Sequence, residues 1–287
     1  MFMSASTARQ APAQQPPQLK PGQKPPIPQV RRTSFFQSDT FPSVAQYINR
    51  ATYLLSQGRP AAEVGVYFPT LSLWYGDNES NKTMLDISQQ LTENQIDFDF
   101  VDEQAFASSL ELRNGAFVNL SGQEYKAIIV PPVSIISETT INKLKEFMNA
   151  GGKVAFVGKI PVLITRKTFK DAEEATILSG GFVEKSGKIT QGVIDFLPSP
   201  DVKLTPSSPQ VKYLHRTMPD GELYFFFNEG TSPFSCGAVL EGKGKVQSWD
   251  AASGDIKSIK SKSQGSDNTI IQLDLEGWET KFIYIRK

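Results

Sequence analysis

The spacing of apolar residues changes along the chain, and the first change separates a polar start from the rest. Residues 1–34 are rich in Pro, Gln, Ser and Ala and contain few large apolar side chains. Such a segment buries too little apolar surface to offset the entropy lost on ordering, so the pattern predicts a disordered tail. Its stretch PPQLKPGQKPPIPQ also suits a polyproline II ligand for an aromatic groove, although the composition favours a plain tail.

A helical period begins after this tail. Residues 35–60 carry apolar side chains three and four positions apart, which predicts an amphipathic helix. These side chains are Val44, Tyr47, Ile48, Ala51, Leu54 and Leu55. Ser43 is placed to cap the start of the helix, and Gly58 followed by Pro60 is placed to end it. The wide apolar stripe requires a partner surface.

Between residues 61 and 165, apolar runs alternate with helical patterns. The runs EVGVYFP, DFDFVD, YKAIIVPP and KVAFVG are short and nearly continuous, as in strands covered on both faces. The helices predicted between them are Thr83–Asn94, Glu103–Ser109 and one that starts after Ser137 and ends at Gly151 and Gly152. This alternation predicts a parallel sheet with right-handed crossovers, in a small Rossmann-like or flavodoxin-like layer.

The helical period disappears in the last part of the chain. Residues 166–205 form a mixed connecting segment, with one helix predicted around Ala172 to Leu178. Residues 206–287 contain seven short apolar runs separated by Gly, Asp, Ser and Pro, which predicts an antiparallel β-sandwich. The predicted fold class is therefore α/β plus all-β.

Charge and composition limit the partners and the location of the protein. Thirty basic and thirty acidic residues cancel, so no net field favours nucleic acid, and no apolar stretch reaches the length of a membrane span. The start lacks a secretory hydrophobic segment, which favours the cytosol. Glycosylation tripeptides at Asn78, Asn81 and Asn119 would agree with descent from a secreted protein, but such tripeptides are common by chance.

The single cysteine, Cys236, and the single histidine, His215, leave too few soft ligands for a zinc or iron site. Any metal would therefore have to be bound by oxygen ligands, and no metal site and no cofactor is predicted. Both residues lie outside the α/β layer, which argues against a Cys-His-Glu hydrolase, because that mechanism needs its nucleophile at a strand-to-helix elbow. A buried structural thiol is the favoured interpretation of Cys236.

Acidic residues offer one candidate cluster. Asp97, Asp99, Asp102 and Glu103 surround a predicted strand end, where open α/β sheets often bind ligands. A glycosidase needs two carboxylates about 5 to 9 Å apart, and spacing along the chain selects no such pair. A solvated strand end is the favoured interpretation, and no catalytic residue is assigned.

The stretch YLHRTMPDGELYFFFNEG predicts a hairpin, residues 213–230, with Asp220-Gly221 as its turn. That turn would pair His215 with Phe226 and place one set of side chains on a shared face. The set is Tyr213, His215, Thr217, Tyr224, Phe226 and Asn228. Tyr213, His215, Tyr224 and Asn228 are candidate substrate-binding residues for a carbohydrate, and the alternative is ordinary packing. A bulged turn would exchange the two faces.

Five stretches resemble, in order, the region after the catalytic barrel of α-L-rhamnosidases of glycoside hydrolase family 106. They are YINRATYLLSQGRPAAEVGVYFPT, YKAIIVPP, LKEFMNAGGKVAFVG, YLHRTMPDGELYFFFNEG and VQSWDAASGDI, and the resemblance spans residues 34–287. It implies catalytic carboxylates on an upstream (β/α)8 barrel, often with calcium, followed by a glutamine-amidotransferase-like domain and β-sandwiches. The helix at 35–60 would correspond to the last barrel helix. No catalytic residue carries over.

These observations lead us to expect an accessory, noncatalytic fragment of an α-L-rhamnosidase-like glycoside hydrolase. One alternative is an active enzyme on rhamnose-containing glycans, and another is a carbohydrate-binding or protein-interaction module. Candidate partners are a carbohydrate, a separate barrel chain, or a second copy bound through the first helix unless another part of the chain covers its stripe. A deep acidic cleft with two facing carboxylates would contradict the noncatalytic interpretation.

Overall fold

The computed structural model describes residues 38–167, 169–174 and 180–287. The predicted tail, residues 1–34, lies outside them. The helices of the described residues are α1 (Phe41–Ser56), α2 (Thr70–Trp74), α3 (Asn78–Glu93), α4 (Glu103–Ser108), α5 (Glu138–Asn149) and α6 (Gln191–Phe196), with a 3-10 turn at Phe169–Asp171. None of these helices is long and apolar enough to cross a membrane.

The strands form a parallel sheet and several antiparallel or mixed sheets. Their bounds are β1 (Arg59–Pro60), β2 (Val64–Tyr67), β3 (Phe98–Val101), β4 (Glu111–Arg113), β5 (Ala116–Val118), β6 (Glu124–Tyr125), β7 (Ala127–Val130), β8 (Ile135–Ser137), β9 (Lys153–Val157), β10 (Leu163–Thr165), β11 (Glu173–Glu174), β12 (Phe182–Glu184), β13 (Val202–Thr205), β14 (Val211–Met218), β15 (Gly221–Asn228), β16 (Phe234–Glu241), β17 (Lys245–Trp249), β18 (Ile256–Ser258), β19 (Ser261–Gln264), β20 (Asn268–Leu275) and β21 (Thr280–Arg286).

The parallel sheet has the strand order β3-β2-β7-β9-β12. Numbered by position in the chain, this order is 2-1-3-4-5. Helices α3 and α6 pack on one face, and α4 and α5 pack on the other. Both faces are therefore covered, which explains why β2 and β7 consist of buried residues at every position.

Local signals place α5 as predicted. The Ser137 side chain accepts a hydrogen bond from the backbone N–H of Thr140 at 3.0 Å, so it caps the helix. Gly151 follows the helix with a φ of 95°, the left-handed conformation that glycine adopts without strain. Gly152 has a different role from the predicted one, because a Cβ there would lie 2.2 Å from the Phe147 ring.

The starts of two other helices differ from the predictions. Helix α1 begins at Phe41, so Ser43 lies inside its first turn and is not its cap. Helix α3 begins at Asn78 and not at Thr83, because Asp77 caps it by accepting from the Ser80 N–H at 3.1 Å. Distant contacts hold this extra turn, since the Ser80 hydroxyl donates to the carbonyl of Pro132 at 2.7 Å.

The segment predicted to connect two domains contributes to both sheet systems. Strand β12 pairs with β9 as the fifth strand of the parallel sheet, and β13 pairs with β16 in an antiparallel sheet. The helix predicted around Ala172 to Leu178 is absent at Glu173–Glu174, which forms a strand. Residues 175–179 lie outside the described residues.

Two antiparallel sheets occupy the C-terminal part. The first has the order β1-β14-β15-β21-β17-β18 and the second has the order β13-β16-β20-β19. Their facing sides share one hydrophobic core, to which Tyr224 and Phe226 contribute from the first sheet and Ala238 and Ile271 from the second. The short strands expected from residue 206 onward are therefore present, and β13 and β19 are additional.

Helix α1 covers the outer side of the first antiparallel sheet. Ala51 is buried against Leu223, Phe282 and Tyr284, and the Tyr47 hydroxyl lies 2.8 Å from that of Thr280. The chain's own sheet thus covers one side of the apolar stripe, while Val44 and Ile48 are exposed. Tyr47, Ala51, Leu54 and Leu55 pack against this sheet, and self-association through the helix stays a prediction.

Candidate functional site

The predicted hairpin is formed by β14 and β15, with a register that differs from the prediction. Met218 pairs with Gly221, so the turn is Pro219-Asp220, and His215 lies opposite Tyr224 rather than Phe226. The shift is two residues and therefore leaves each side chain on its predicted face. The predicted face is correct, while the predicted partners are wrong.

This face points inward, toward the second antiparallel sheet. Tyr224 is fully buried, Asn228 is 1% exposed and Tyr213 is partly buried. Asn228 donates to the carbonyls of Ser232 and Glu276 at 2.9 and 3.0 Å, and it accepts from the Gly230 N–H at 3.0 Å. Its hydrogen bonds stabilise the loop after β15.

A cavity of about 160 Å³ lies where this hairpin meets the segments that lead into β2 and β3. The cavity is strongly acidic. Residues from both the parallel-sheet part and the antiparallel part line it, among them Glu63, Asp97, Asp201, Tyr213, His215, Glu222 and Glu241. The amino ends of the parallel strands point toward it, whereas open α/β sheets usually bind ligands at the opposite, carboxyl ends.

His215 lies at the centre of a hydrogen-bond network in this cavity. Its Nδ1 contacts the Asp201 carboxylate, and its Nε2 lies 3.2 Å from Oε2 of Glu222. The ring stacks on Tyr224 with 4.0 Å between ring centroids. Lys287 donates to the other Glu222 oxygen at 2.8 Å, and the Tyr213 hydroxyl donates to Asp201.

The network changes the proton affinity of its members. Burial lowers the pKa of His215, but the hydrogen bonds to Asp201 and Glu222 outweigh burial and raise it to about 9. Burial, followed by repulsion from Asp201, raises the pKa of Asp97 to about 7. Burial also raises the pKa of Glu222, but its bonds to His215 and Lys287 leave it below the ordinary value.

The acidic cavity is the feature that would argue for catalysis, so it matters whether its carboxylates already have hydrogen-bond partners. Asp201 and Glu222 accept hydrogen bonds from His215, Tyr213 and Lys287. Asp97 accepts the backbone N–H of Phe98 at 3.0 Å. Chemically, Asp97 has a pKa suited to proton transfer near neutrality, with Asp201 as the nearby second acid.

The acidic cluster read from the sequence does not assemble. Asp97 lines the cavity before β3, whereas Asp102 follows β3 and caps α4 by accepting from the Ala105 N–H at 2.9 Å. Glu103 accepts a hydrogen bond from the Tyr67 hydroxyl at the carboxyl end of β2. The strand separates the members of the cluster.

The carboxyl ends of β2 and β7, where the strand order reverses, are filled by the chain itself. Ser72 of α2 is fully buried and donates to the carbonyl of Ile135 at 2.9 Å. It also accepts the backbone N–H of Ser134 at 3.1 Å. These bonds hold α2 over the crevice in which doubly wound sheets usually place a ligand.

Cys236, the only cysteine of the sequence, lies in a structural environment. Cys236 is buried in the shared core, and burial raises its pKa to about 11, which makes it a poor nucleophile. Within the described ranges, no group of three His, Cys, Asp or Glu residues is arranged to hold a metal ion.

Sequence reasoning did not single out Asp201, Glu222, Glu241 or the buried Gln95. Asp201 lies in the predicted connecting segment, where no periodicity marks an inward side. Glu222 is detectable only with the correct hairpin register, which pairs it with Thr217 beside His215.

The fold of the chain is similar to parts of several solved glycoside hydrolase structures. A rhamnosidase from Novosphingobium sp. PP1Y matches with a TM-score of 0.65 and 22% identity over 90% of this chain and 25% of that one. A family 42 β-galactosidase from G. stearothermophilus matches with a TM-score of 0.53 and 14% identity, over 88% of this chain and 44% of the enzyme.

An α-L-fucosidase from Paenibacillus thiaminolyticus has a TM-score of 0.52 and 15% identity, over 83% of this chain and 50% of that chain. The chain thus spans a quarter of the rhamnosidase and half or less of the other two. Identities this low establish the fold alone. No curated protein matches significantly. The family model for α-L-rhamnosidase matches residues 10–263, most of the sequence, and the chain therefore belongs to glycoside hydrolase family 106.

Proposed function

We propose that this chain is an accessory, noncatalytic region of an α-L-rhamnosidase-like glycoside hydrolase. In this proposal the cleavage of the glycosidic bond belongs to a (β/α)8 barrel, either in the same protein or in a separate chain. The observation that carries the proposal is the extent of the match, because 90% of this chain corresponds to only 25% of the rhamnosidase.

The architecture supports the proposal. We infer a flavodoxin-like, glutamine-amidotransferase-like layer from the parallel strand order 2-1-3-4-5, and a β-sandwich from the core shared by two antiparallel sheets. The sheets of the described residues have six strands or fewer. An eight-stranded parallel barrel, which the resemblance associates with catalysis, is not among them.

The proposal is also supported by the hydrogen bonds that polar groups of the crevice and of the acidic cavity already make within the chain. The switch-point crevice contains Ser72 and its hydrogen bonds, and two acidic residues of the cavity, Asp201 and Glu222, are engaged by His215. A glycosidase requires one carboxyl group free to protonate the leaving oxygen and a second free to attack or to activate water. Asp97 and Glu241 resemble such groups, because burial raises the pKa of both.

An active glycoside hydrolase is the second candidate, favoured by the pairing of Asp97 with Asp201 in one acidic cavity. Both candidates are tested by incubating the purified chain with an aryl α-L-rhamnoside, using a barrel-containing rhamnosidase as the positive control. The noncatalytic proposal predicts no release of the aryl group by wild type, Asp97→Asn or Asp201→Asn. Turnover that either substitution abolishes would establish the enzyme instead.

The carbohydrate-binding alternative has its own test. The candidate residues Tyr213, His215, Tyr224 and Asn228 remain a prediction. Tyr213 and His215 line the cavity, which a sugar would have to enter from its solvent side, whereas Tyr224 and Asn228 are buried outside its lining. Calorimetric titration with rhamnose and rhamnose-containing oligosaccharides would measure binding. A Tyr213→Phe variant that lost that binding would support a sugar-binding role for the hydroxyl that faces Asp201.

A further inference from the structure

The joint between the parallel-sheet part and the antiparallel sheets is polar. Each hydrophobic cluster of the described residues lies within one part and none spans both. His215 contributes to the joint through its backbone, whose N–H donates to Asp97 at 3.4 Å and whose carbonyl accepts from the Ala61 N–H at 3.1 Å. Asp97 and Ala61 precede β3 and β2, so one residue of β14 contacts both entry segments.

The His215 ring reaches in the other direction, between two carboxylates. Nδ1 contacts Asp201 and Nε2 lies 3.2 Å from Glu222. A neutral imidazole has one N–H and one bare nitrogen, so it donates to only one carboxylate and turns a lone pair toward the other. The residue is 3% exposed, so bulk water cannot relieve that repulsion. Only the imidazolium satisfies both contacts.

We propose that this cluster is a pH-sensitive latch, in which the protonated His215 ring fixes β14 to Asp201 and to β15. Loss of the proton loosens β14 and, with it, the two backbone hydrogen bonds that His215 makes to the parallel-sheet part. The latch stands on the geometry of the ring and its two carboxylates. It does not depend on the proposed function, because it concerns how the two parts stay together.

The charged groups around the ring favour its protonated form. The acidic groups on the surrounding elements are Glu63, Asp97, Asp99, Glu124, Asp201, Glu222 and Glu241; the basic groups are Arg59, Lys126, Arg216 and Lys287; and the phenols are Tyr213 and Tyr224. Lys287 is bound to Glu222 and Lys126 to Glu63. The acidic groups outnumber the basic ones, so the imidazolium adds positive charge where negative charge predominates.

The direction of the pH effect follows from the proton affinities. The pKa of His215 is raised to about 9. The stability that its protonation adds to the folded chain is therefore complete below its ordinary pKa of 6.5 and is lost as the pH rises through 9. The Asp97 carboxyl, with a pKa of about 7, ionises in the same interval and adds repulsion toward Asp201. Both effects weaken the joint in alkaline solution.

Acid acts on the latch through Glu222, whose pKa is lowered. The stability that the Glu222 carboxylate adds to the folded chain is present above its ordinary pKa of 4.5. It is lost as the pH falls through the lower pKa that Glu222 has in the folded chain. The joint should therefore be firmest in mildly acidic solution. Between pH 6 and pH 10, the ratio of folded to unfolded chain should fall on the order of a hundredfold through His215.

Because His215 is the only histidine, NMR of the ¹⁵N-histidine-labelled full chain gives a single pair of ring signals. We expect imidazolium signals up to about pH 9. In the same titration, the amide of Ala61, corrected for the intrinsic exchange rate, should lose at least tenfold protection as the ring deprotonates. A ring that titrates near 6.5, or protection that stays constant through deprotonation, overturns the proposal.

A conservative variant makes the test specific. Glu222→Gln keeps the side-chain shape but removes the charge facing Nε2, so it should lower the titration midpoint of His215 by about one unit, a tenfold weaker proton affinity. The loss of Ala61 protection should move to lower pH by the same amount. Glu79→Gln, in the exposed first turn of α3, is the matched control and should leave both midpoints unchanged. Equal behaviour of the two variants refutes the latch.

Discussion

Gln95 illustrates how a single side chain holds distant parts of this chain. It is buried, it adopts a φ of 52°, and its amide nitrogen lies within 3.1 Å of three carbonyl oxygens. Two of those carbonyls, on Ser208 and Val211, belong to the start of β14 and the loop before it. The donor therefore connects the end of α3 to the hairpin that carries His215.

Truncation of Gln95 should be costly because it removes the buried side-chain donor that binds the carbonyls of Ser208 and Val211. We expect Gln95→Ala to lower the free energy of unfolding by about 1 to 3 kcal/mol, measured by urea denaturation. Gln89→Ala removes an exposed side chain that bonds only Glu93 within the same helix, so it is the control and should change stability by less than about 0.5 kcal/mol. Similar losses in both variants would contradict the role assigned to Gln95.

Among the elements, α1 depends most on its partner surface. Its buried side, around Ala51, Leu54 and Leu55, packs on the outer face of the first antiparallel sheet. Arg50 adds hydrogen bonds to the carbonyls of Ala251 and Ala252 at 3.0 and 2.8 Å. A helix of this length gains little stability from its own backbone, so its order should require the sheet.

A charge placed under α1 should therefore release it. Ala51 is 7% exposed, and Ala51→Asp would force a carboxylate against Leu223 and Phe282. We expect a loss of at least about 2 kcal/mol in the free energy of unfolding and faster proteolysis within residues 43–56. Asn49→Asp, which adds the same group on the exposed side of α1, should have little effect. Resistance of the Ala51→Asp helix to proteolysis would show that the packing is dispensable.

At the scale of the whole molecule, residues 43–287 form one compact unit although they contain two kinds of sheet. The chain crosses between the parts more than once. Strand β1, immediately before β2, pairs with β14 of the first antiparallel sheet, and β13, after α6, pairs with β16 of the second. Opening the joint therefore disturbs the ends of both sheet systems.

We expect this unit to unfold in one transition at pH 6, where the His215 latch is closed. Trp74 lies in the parallel-sheet part, and Trp249 packs on Tyr284 in the antiparallel part. Two variants, one keeping only Trp74 and one keeping only Trp249, with the other tryptophans replaced by phenylalanine, should give the same fluorescence thermal midpoint as circular dichroism. Midpoints that differ between the two probes would show that the parts unfold independently.

The sequence alone determined features that depend on residues close together in the chain. Ser137 and Gly151 bracket α5 through a cap and a left-handed residue, and the alternation around His215 fixes which side chains share a face. The family was also readable from the sequence, and the match over residues 10–263 confirms it. Short-range hydrogen bonding and a two-residue period need no tertiary information.

Tertiary structure decided the rest, because it depends on groups that are distant in sequence. The extra turn of α3 needs the Pro132 carbonyl, and the fifth parallel strand needs the edge of β9. Asp97 and His215 are 118 positions apart, and nothing local shows that they meet. Periodicity predicts which side of a strand is apolar. Only packing determines what covers that side and which buried ionisable groups contact one another.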